Sequence, residues 1–256
     1  MVELKTEAEV DAMGAAGRVV AATLSAVRAA AVPGTSLLEL DEVARATLAA
    51  HGARSPFLNY HPDFAPSPYP AVICTSVNDV VVHGIPDGCR LREGDLLSVD
   101  GGAWLDGWTA DAAISFCVGD GTADPADRRL IEVAQQALGA AIGSARPGGR
   151  LGDISSAIAA VGRAAGYGIP PGVGGHGIGR RMHEDPDVPN EGRPRRGLPL
   201  RPGLVIAIEP MFMAGGRDQV RMAGDGWAMR TGDGSRAAHV EHTVAITAAG
   251  PRVLTL

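Results

Sequence analysis

Four acidic side chains and one histidine sit where their neighbours are apolar or glycine, and that setting is what makes them chemically interesting. Asp100 closes the run Leu96-Leu97-Ser98-Val99, and Asp111 lies inside Trp108-Thr109-Ala110-Asp111-Ala112-Ala113-Ile114. Between the two runs stands Leu105-Asp106-Gly107, and Asp-Gly suits a two-residue hairpin turn because both central positions need positive φ. With Asp106-Gly107 as the turn, Asp100 lies opposite Ala113, and Asp111 is two residues from that position. Side-chain alternation then places both aspartates on one face as diagonal neighbours. Two carboxylates on a mostly apolar face repel each other and are costly to bury unless a cation sits between them. For this pair alone the competing reading, two solvated acids on an exposed face, stays open.

Two further acids narrow the choice. Glu209 ends the run Leu204-Val205-Ile206-Ala207-Ile208, which reads as a buried strand, and Glu241 sits in Val240-Glu241-His242-Thr243-Val244-Ala245-Ile246. Either one singly is satisfied by hydrogen bonds or an arginine in many proteins; four inward carboxylates together are much harder to satisfy that way. His176 lies in Gly174-Gly175-His176-Gly177-Ile178-Gly179, where missing side chains let backbone and imidazole approach a ligand closely. A lone loop histidine carries no function by itself, but four carboxylates and an imidazole form a hard, oxygen-rich set. That set favours manganese, iron(II) or cobalt over a structural zinc site. It also holds more ligands than one catalytic ion takes from protein, which argues for two ions. Gly172, Gly174 and Gly177 match the dinucleotide pattern G-x-G-x-x-G, yet Ile169-Pro170-Pro171 precedes it where a strand is needed and Ile178-Gly179-Arg180 follows it where a helix is needed.

These residues must be positioned by regular elements. A capping-box signature at Thr6 and Glu9 opens a helix to Ala31, stopped by Pro33-Gly34, and a second box at Ser36 and Glu39 opens another ending near Gly52. Four prolines with Tyr60, Phe64 and Tyr69 between Asn59 and Pro70 make an ordered surface loop. Strands are expected over Ala71–Ser76, Asp95–Ala103, Trp108–Val118, Leu204–Met211 and Val240–Thr247. Asp124-Pro125 opens a third helix to about Ala145, and a fourth runs from about Gly152 to Gly166. The stretch between Gly166 and Leu204 reads as a glycine-rich loop followed by a proline- and arginine-rich loop.

The second half echoes the first. Pro33-Gly34 before a helix recurs as Pro147-Gly148 before a helix, and Leu91-Arg92-Glu93-Gly94 recurs as Leu200-Arg201-Pro202-Gly203, with Asp100 and Glu209 each six residues after the glycine. Two echoes in the same order indicate two related αβ halves facing each other, with the acids meeting near a shared axis. The fold class is α/β (α+β), and residues 1–256 read as one domain.

Composition bounds the rest. Hydrophobic residues are 45 % and charged residues 20 % of the chain, as in ordinary folded proteins, and the net charge of −6 supplies no basic surface for nucleic acid. Cys74, Cys89 and Cys117 cannot all pair and follow no zinc-knuckle spacing, so they read as reduced thiols. Charged residues at Glu3, Lys5, Glu7 and Glu9 stand where a signal peptide carries its apolar run, and no apolar stretch reads as long enough to span a bilayer. A cytoplasmic location and no membrane partner are expected.

Taken together the segments resemble type I methionine aminopeptidase. The resemblance is carried by Cys74-Thr75-Ser76-Val77-Asn78-Asp79 leading to His83-Gly84-Ile85-Pro86, Ser98-Val99-Asp100-Gly101-Gly102-Ala103 through Asp111, Gly175-His176-Gly177-Ile178-Gly179 through His183-Glu184-Asp185-Pro186, Ile208-Glu209-Pro210, and Val240-Glu241-His242-Thr243. It spans nearly the whole chain. It implies the pita-bread fold, two pseudo-symmetric αβ halves around a central antiparallel sheet, with 1–256 as the catalytic domain. It implies two divalent ions (cobalt, manganese, iron(II) or zinc) held by Asp100, Asp111, His176, Glu209 and Glu241. In that family Glu209 would take the proton from the attacking water, His183 would polarise the scissile carbonyl and His83 would contact the amide nitrogen of the cleaved bond. Tyr60, Cys74 and Trp227 match the methionine pocket, although core packing alone also explains Cys74 and Trp227. The implied substrate is the N-terminus of a peptide or nascent chain, with possible ribosome proximity, and the implied state is a monomer.

The chain departs from the family pattern in three places. The segment from His61 to Pro70 is long, leaving Phe64 or Tyr69 as the rim aromatic after Tyr60. Met182 precedes His183 where an aromatic is expected, and His239 stands where glutamine is common. These departures bear on side-chain preference and are expected to leave the ligand set untouched. The alternatives are a proline-specific aminopeptidase or creatinase-like relative on the same fold, and a binding module that keeps only the shape.

Overall fold

The Asp106-Gly107 turn forms as its residues require, with φ of +50° and +86°. It joins β3 (Leu96–Leu105) to β4 (Trp108–Cys117), and Asp100 pairs with Ala113 while Asp111 pairs with Gly102. The hairpin is the centre of a computed structural model that describes residues 2–63, 65–119 and 123–256.

Four helices and thirteen strands are described in chain order. The helices are α1 (Glu7–Ala30), α2 (Leu37–Ala50), α3 (Pro125–Ser144) and α4 (Leu151–Ala164). Besides β3 and β4, the strands are β1 (Ile73–Val77), β2 (Val80–Val82), β5 (Gly174–Gly177), β6 (Glu184–Pro189), β7 (Val205–Ile208), β8 (Met211–Met213), β9 (Val220–Met222), β10 (Met229–Thr231), β11 (Ala237–His239), β12 (Glu241–Thr247) and β13 (Gly250–Val253). The main sheet is antiparallel in the order β1-β3-β4-β12-β7-β5-β6, with β13 on β12. This is the pita-bread arrangement.

The helices begin where their caps direct. Thr6 and Ser36 each accept the backbone N–H three residues on, from Glu9 and Glu39, and those glutamates answer the cap N–H at 2.9 and 2.7 Å. Asp124 caps α3 through the Ala126 N–H, with Pro125 at the first helical position. The duplication is written in hydrogen bonds. The Gly34 N–H donates to the Leu91 carbonyl at 2.8 Å and the Gly148 N–H to the Leu200 carbonyl at 3.0 Å, and α2 and α4 start with matching bonds, Leu37 to Cys89 and Leu151 to Leu198, both 3.0 Å.

Strand alternation sorts the sheet into a helix face and a site face. Leu97, Val99, Ala110 and Ala112 share one core with Val20, Leu24 and Leu40 of α1 and α2. Ile206, Ile208, Val244 and Ile246 share another with Leu130, Ala134, Ile154 and Ile158 of α3 and α4. The alternating residues, Asp100, Asp111, Ala113, Glu209 and Glu241, therefore all project to the opposite face.

The structure corrects three expectations. Gly174–Gly177 and Glu184–Pro189, read as loops, are β5 and β6. The run Leu204–Met211 is two strands, because Pro210 has no N–H to continue the ladder. And α1, at 24 residues, is long and apolar enough to cross a bilayer by length and composition alone; in the fold its buried side, Val10 through Val27, packs on β3, β4 and α2.

Candidate active site and metal centre

The sheet delivers the acids in register. Cys74 of β1 pairs with Asp100, Asp100 with Ala113, and Ala113 with Glu241. His242 pairs with Ile208, so the next position along sets Glu209 opposite Glu241. One row across five strands thus reads Cys74, Asp100, Ala113, Glu241, Glu209, with Asp111 two residues along β4 on the same face. Only a methyl, that of Ala113, separates Asp100 from Glu241 in this row.

His176 is brought to the same group by β5, whose glycines answer to the neighbouring strands. A Cβ at Gly175 would stand 2.1 Å from the Ala207 carbonyl oxygen, and one at Gly177 would stand 2.0 Å from that of Asp185. The glycines flanking His176 therefore admit backbone on both sides, a different reason from the close ligand approach expected from sequence. Gly175→Ala and Gly177→Ala should each destabilise the protein by about 3 kcal/mol or more, since a rigid carbonyl stands in the way. A urea denaturation midpoint within error of the parent would contradict this. The His176 ring faces the Gly177 carbonyl through Nδ1 at 2.9 Å. A carbonyl only accepts, so the proton lies on Nδ1 and the Nε2 lone pair is directed to the acids, 3.8 Å from Glu209 Oε1.

These carboxylates are not satisfied by protein. Asp100 Oδ1, Asp111 Oδ1 and Glu241 Oε1 are buried with no hydrogen-bond partner among the described residues. Burial first, then the Asp111 and Glu209 charges, hold the Asp100 carboxyl well above its ordinary range, and burial with the Asp111 charge does the same to Glu241. Asp111 is pushed up to about 6, chiefly by burial. Glu209 goes the other way: burial raises it, but contact with His239 and the nearby His176 and His83 outweigh that and leave it below its usual value. Ligand-capable atoms of Asp111, His176 and Glu241 lie within 4.8 Å of one another, as do those of Glu209, His239 and Glu241. Orphaned buried oxygens in two overlapping groups fit divalent cations, which would repay the desolvation that nothing else here repays.

The two remaining histidines flank the acids. His183 lies against the His176 ring at 4.2 Å and the Tyr60 ring at 5.1 Å between centroids. Burial is the main reason that His183 is lowered to about 3 and His83 to about 4. Both are neutral at pH 7, so each ring offers one N–H donor. His83 sits at φ +60°, a left-handed conformation beside the Gly84 backbone, which presses on the Thr75 carbonyl. Beside the acids, Phe57, Tyr69, Cys74, Met182 and Trp227 form an apolar cluster with Tyr60 at its edge. Acids and cluster line one cleft of about 870 Å³.

All ten residues singled out from sequence meet in this cleft. Of the two rim aromatics left open, Tyr69 is in the cluster, edge-on to Trp227 at 5.0 Å, with its hydroxyl 2.9 Å from the Gly84 carbonyl; Phe64 lies outside the described residues. Burial pushes the Cys74 thiol well up, so it is a neutral packing group. Met182 supplies a flexible apolar wall where an aromatic was expected. The expectation that the departures leave the ligand set untouched is wrong for His239. Its Nε2 lies 3.4 Å from Glu209 Oε2 and 3.9 Å from Glu241 Oε2. His239 ends β11 and Glu241 opens β12, so the strand expected over Val240–Thr247 did not reach it and alternation could not place it. Two supports were also missed. Thr243 Oγ1 accepts the Asp111 N–H at 2.9 Å and donates to the Asp111 carbonyl at 2.8 Å, and Asn190 Nδ2 donates to the Glu209 carbonyl at 3.0 Å.

A two-halved antiparallel sheet with a histidine and four acids on its inner face defines a metallopeptidase, and the comparisons agree. Residues 11–248 match the metallopeptidase family M24 model, and the chain belongs to that family. Within it the similarity is to methionine aminopeptidases. The chain is 51 % identical to methionine aminopeptidase 1 of Mycobacterium tuberculosis, over 100 % of this chain and 96 % of that protein. The crystal structure of methionine aminopeptidase from Thermotoga maritima superposes with a TM-score of 0.94 at 38 % identity, covering 100 % and 99 % of the two chains. The prolidase from Pyrococcus furiosus shares the fold, with a TM-score of 0.78 at 21 % identity over 99 % of this chain and 65 % of that one. The chain is thus a hydrolase, an aminopeptidase of the metal-dependent kind.

Proposed function

We propose that the chain removes the N-terminal methionine from peptides and nascent proteins whose second residue is small, using two divalent ions held by Asp100, Asp111, His176, Glu209 and Glu241. The observation that carries this reading is the single cleft in which orphaned carboxylates adjoin a buried apolar pocket. When bound, the ions supply an acidified water nucleophile and a counter-charge for the oxyanion. Glu209, the one acid of the four held below its usual range, accepts the proton of the attacking water at its carboxylate. His183, neutral and beside His176, donates to the scissile carbonyl. His83 contacts the amide nitrogen of the cleaved bond. The linear methionine side chain packs among Tyr60, Tyr69, Cys74, Met182 and Trp227, and the free α-amine faces the acids, which restricts cleavage to the chain end.

In this account residues 1–256 act as one catalytic domain and as a monomer, on nascent-chain N-termini near the ribosome, in the cytoplasm. Three cysteines without disulfides support the reducing compartment. Manganese, iron(II), cobalt and zinc are all compatible with a carboxylate-rich site carrying imidazole.

The test is hydrolysis of Met-Ala-Ser, Leu-Ala-Ser and Ala-Pro-Ser by metal-stripped protein after addition of manganese, iron(II) or cobalt. Cleavage of Met-Ala-Ser alone, and only with metal, is expected. Preference for Ala-Pro-Ser would assign the chain a proline-directed activity instead.

A further inference from the structure

His239 so far serves only as a neighbour of Glu209, and its own ring nitrogen is given no role. Its backbone is pinned: the N–H lies 3.0 Å from Ser115 Oγ, and the carbonyl accepts from the same hydroxyl at 2.6 Å. Ser98 and Ser115 pair across β3 and β4 on the site face, two residues from Asp100 and Ala113. The histidine is therefore held over the same surface as the acids, 2 % exposed.

We propose that His239 is a further metal ligand, a second imidazole donor to the ion that Glu209 and Glu241 share. Its Nε2 is buried with no hydrogen-bond partner among the described residues, and it points between two carboxylates. The 3.4 Å gap to Glu209 is long for a hydrogen bond to a carboxylate. It is the right size for two ligands of one ion. Donors at about 2.1 Å from a common cation, at angles of 90 to 110°, stand roughly 3.0–3.4 Å apart, and the Glu209, His239 and Glu241 atoms lie within 4.8 Å of one another, so a small closure brings all three into place. A glutamine at this position would offer an amide oxygen or a poorly basic nitrogen. Imidazole adds a softer donor to a hard set, and so raises affinity for cobalt relative to manganese.

The inference rests on the carboxylates holding metal, and the test separates the two claims. In proton NMR of the cobalt(II)-loaded protein, strongly shifted ring resonances should come from two histidines, His176 and His239. In His239→Gln one set disappears, and cobalt affinity measured by calorimetry falls about 10–100-fold, the range seen when groups bearing on a metal site are lost, while manganese affinity falls less. Shifted resonances from one histidine in the unmutated protein would overturn the proposal, and so would two sets that persist in His239→Gln. The count in the unmutated protein decides the matter even if the variant does not fold. Failure of cobalt to bind at all would sink the metal-centre reading as well.

Discussion

Glu209→Gln lowers the rate of Met-Ala-Ser hydrolysis by about a thousandfold, within the range expected when a general base is lost, and leaves the circular-dichroism spectrum unchanged. The substitution keeps the shape and removes the charge. Glu209 is singled out by its surroundings. Asp100, Asp111 and Glu241 are all pushed upward, burial first, whereas contact with His239 leads the effects that leave Glu209 below its usual value. An acid that stays ionised near neutral pH while its neighbours resist ionisation is the one placed to take a proton. Asn190 holds its backbone carbonyl at 3.0 Å, so the neutral amide should occupy the same place. A variant that retains more than a tenth of the parent rate would remove Glu209 from this role.

The second large effect is competition between protons and metal. Metal ligands must be deprotonated, and here Asp111 is raised to about 6, with Asp100 and Glu241 raised further. Metal uptake should release protons, and apparent affinity should fall between pH 7.5 and 5.5, by about fourfold from Asp111 alone and further from Asp100 and Glu241, because each acid that must shed a proton adds up to tenfold per pH unit. Calorimetric titrations with manganese in buffers of differing ionisation enthalpy measure both quantities. An affinity that changes less than about threefold over that range would contradict the assignment. Stability of the metal-free protein should respond less, for a reason of sign. An acid whose folded pKa lies above its unfolded value destabilises the fold once both states are ionised, so Asp111 lowers stability as pH rises from about 4 to 6. His83 and His183, lowered to about 4 and 3, oppose it: they hold the fold while neutral, and that contribution is lost as pH falls below 6.5.

What the sequence reveals here depends on how local the cause is. The Asp106-Gly107 turn fixes the β3–β4 register by backbone conformation alone, so the Asp100–Ala113 pairing was readable before any coordinates. The caps at Thr6, Ser36 and Asp124 are equally local. The duplicated Pro-Gly and Leu-Arg segments revealed the two halves because each makes the same pair of backbone hydrogen bonds. The short strands were not legible. Gly174–Gly177 carries no strand propensity, and it is extended because Ala207 and Asp185 press their carbonyls on it from two sides. Two of the site's supports, Thr243 and Asn190, act across sequence separations of 132 and 19 residues, beyond the reach of any local pattern. His239 falls between these cases. It stands two residues before Glu241 but in a different strand, and its importance emerges only when β11, β12 and the end of β7 converge.

The central claim is that one face of the sheet binds a pair of ions, and crystals of the manganese-loaded protein test it directly through anomalous difference density. The account predicts two peaks about 3.5–4 Å apart, each within bonding distance of carboxylates among Asp100, Asp111, Glu209 and Glu241, with His176 on one of them. Density confined to the protein surface, or none in this cleft under conditions where the enzyme is active, would contradict it.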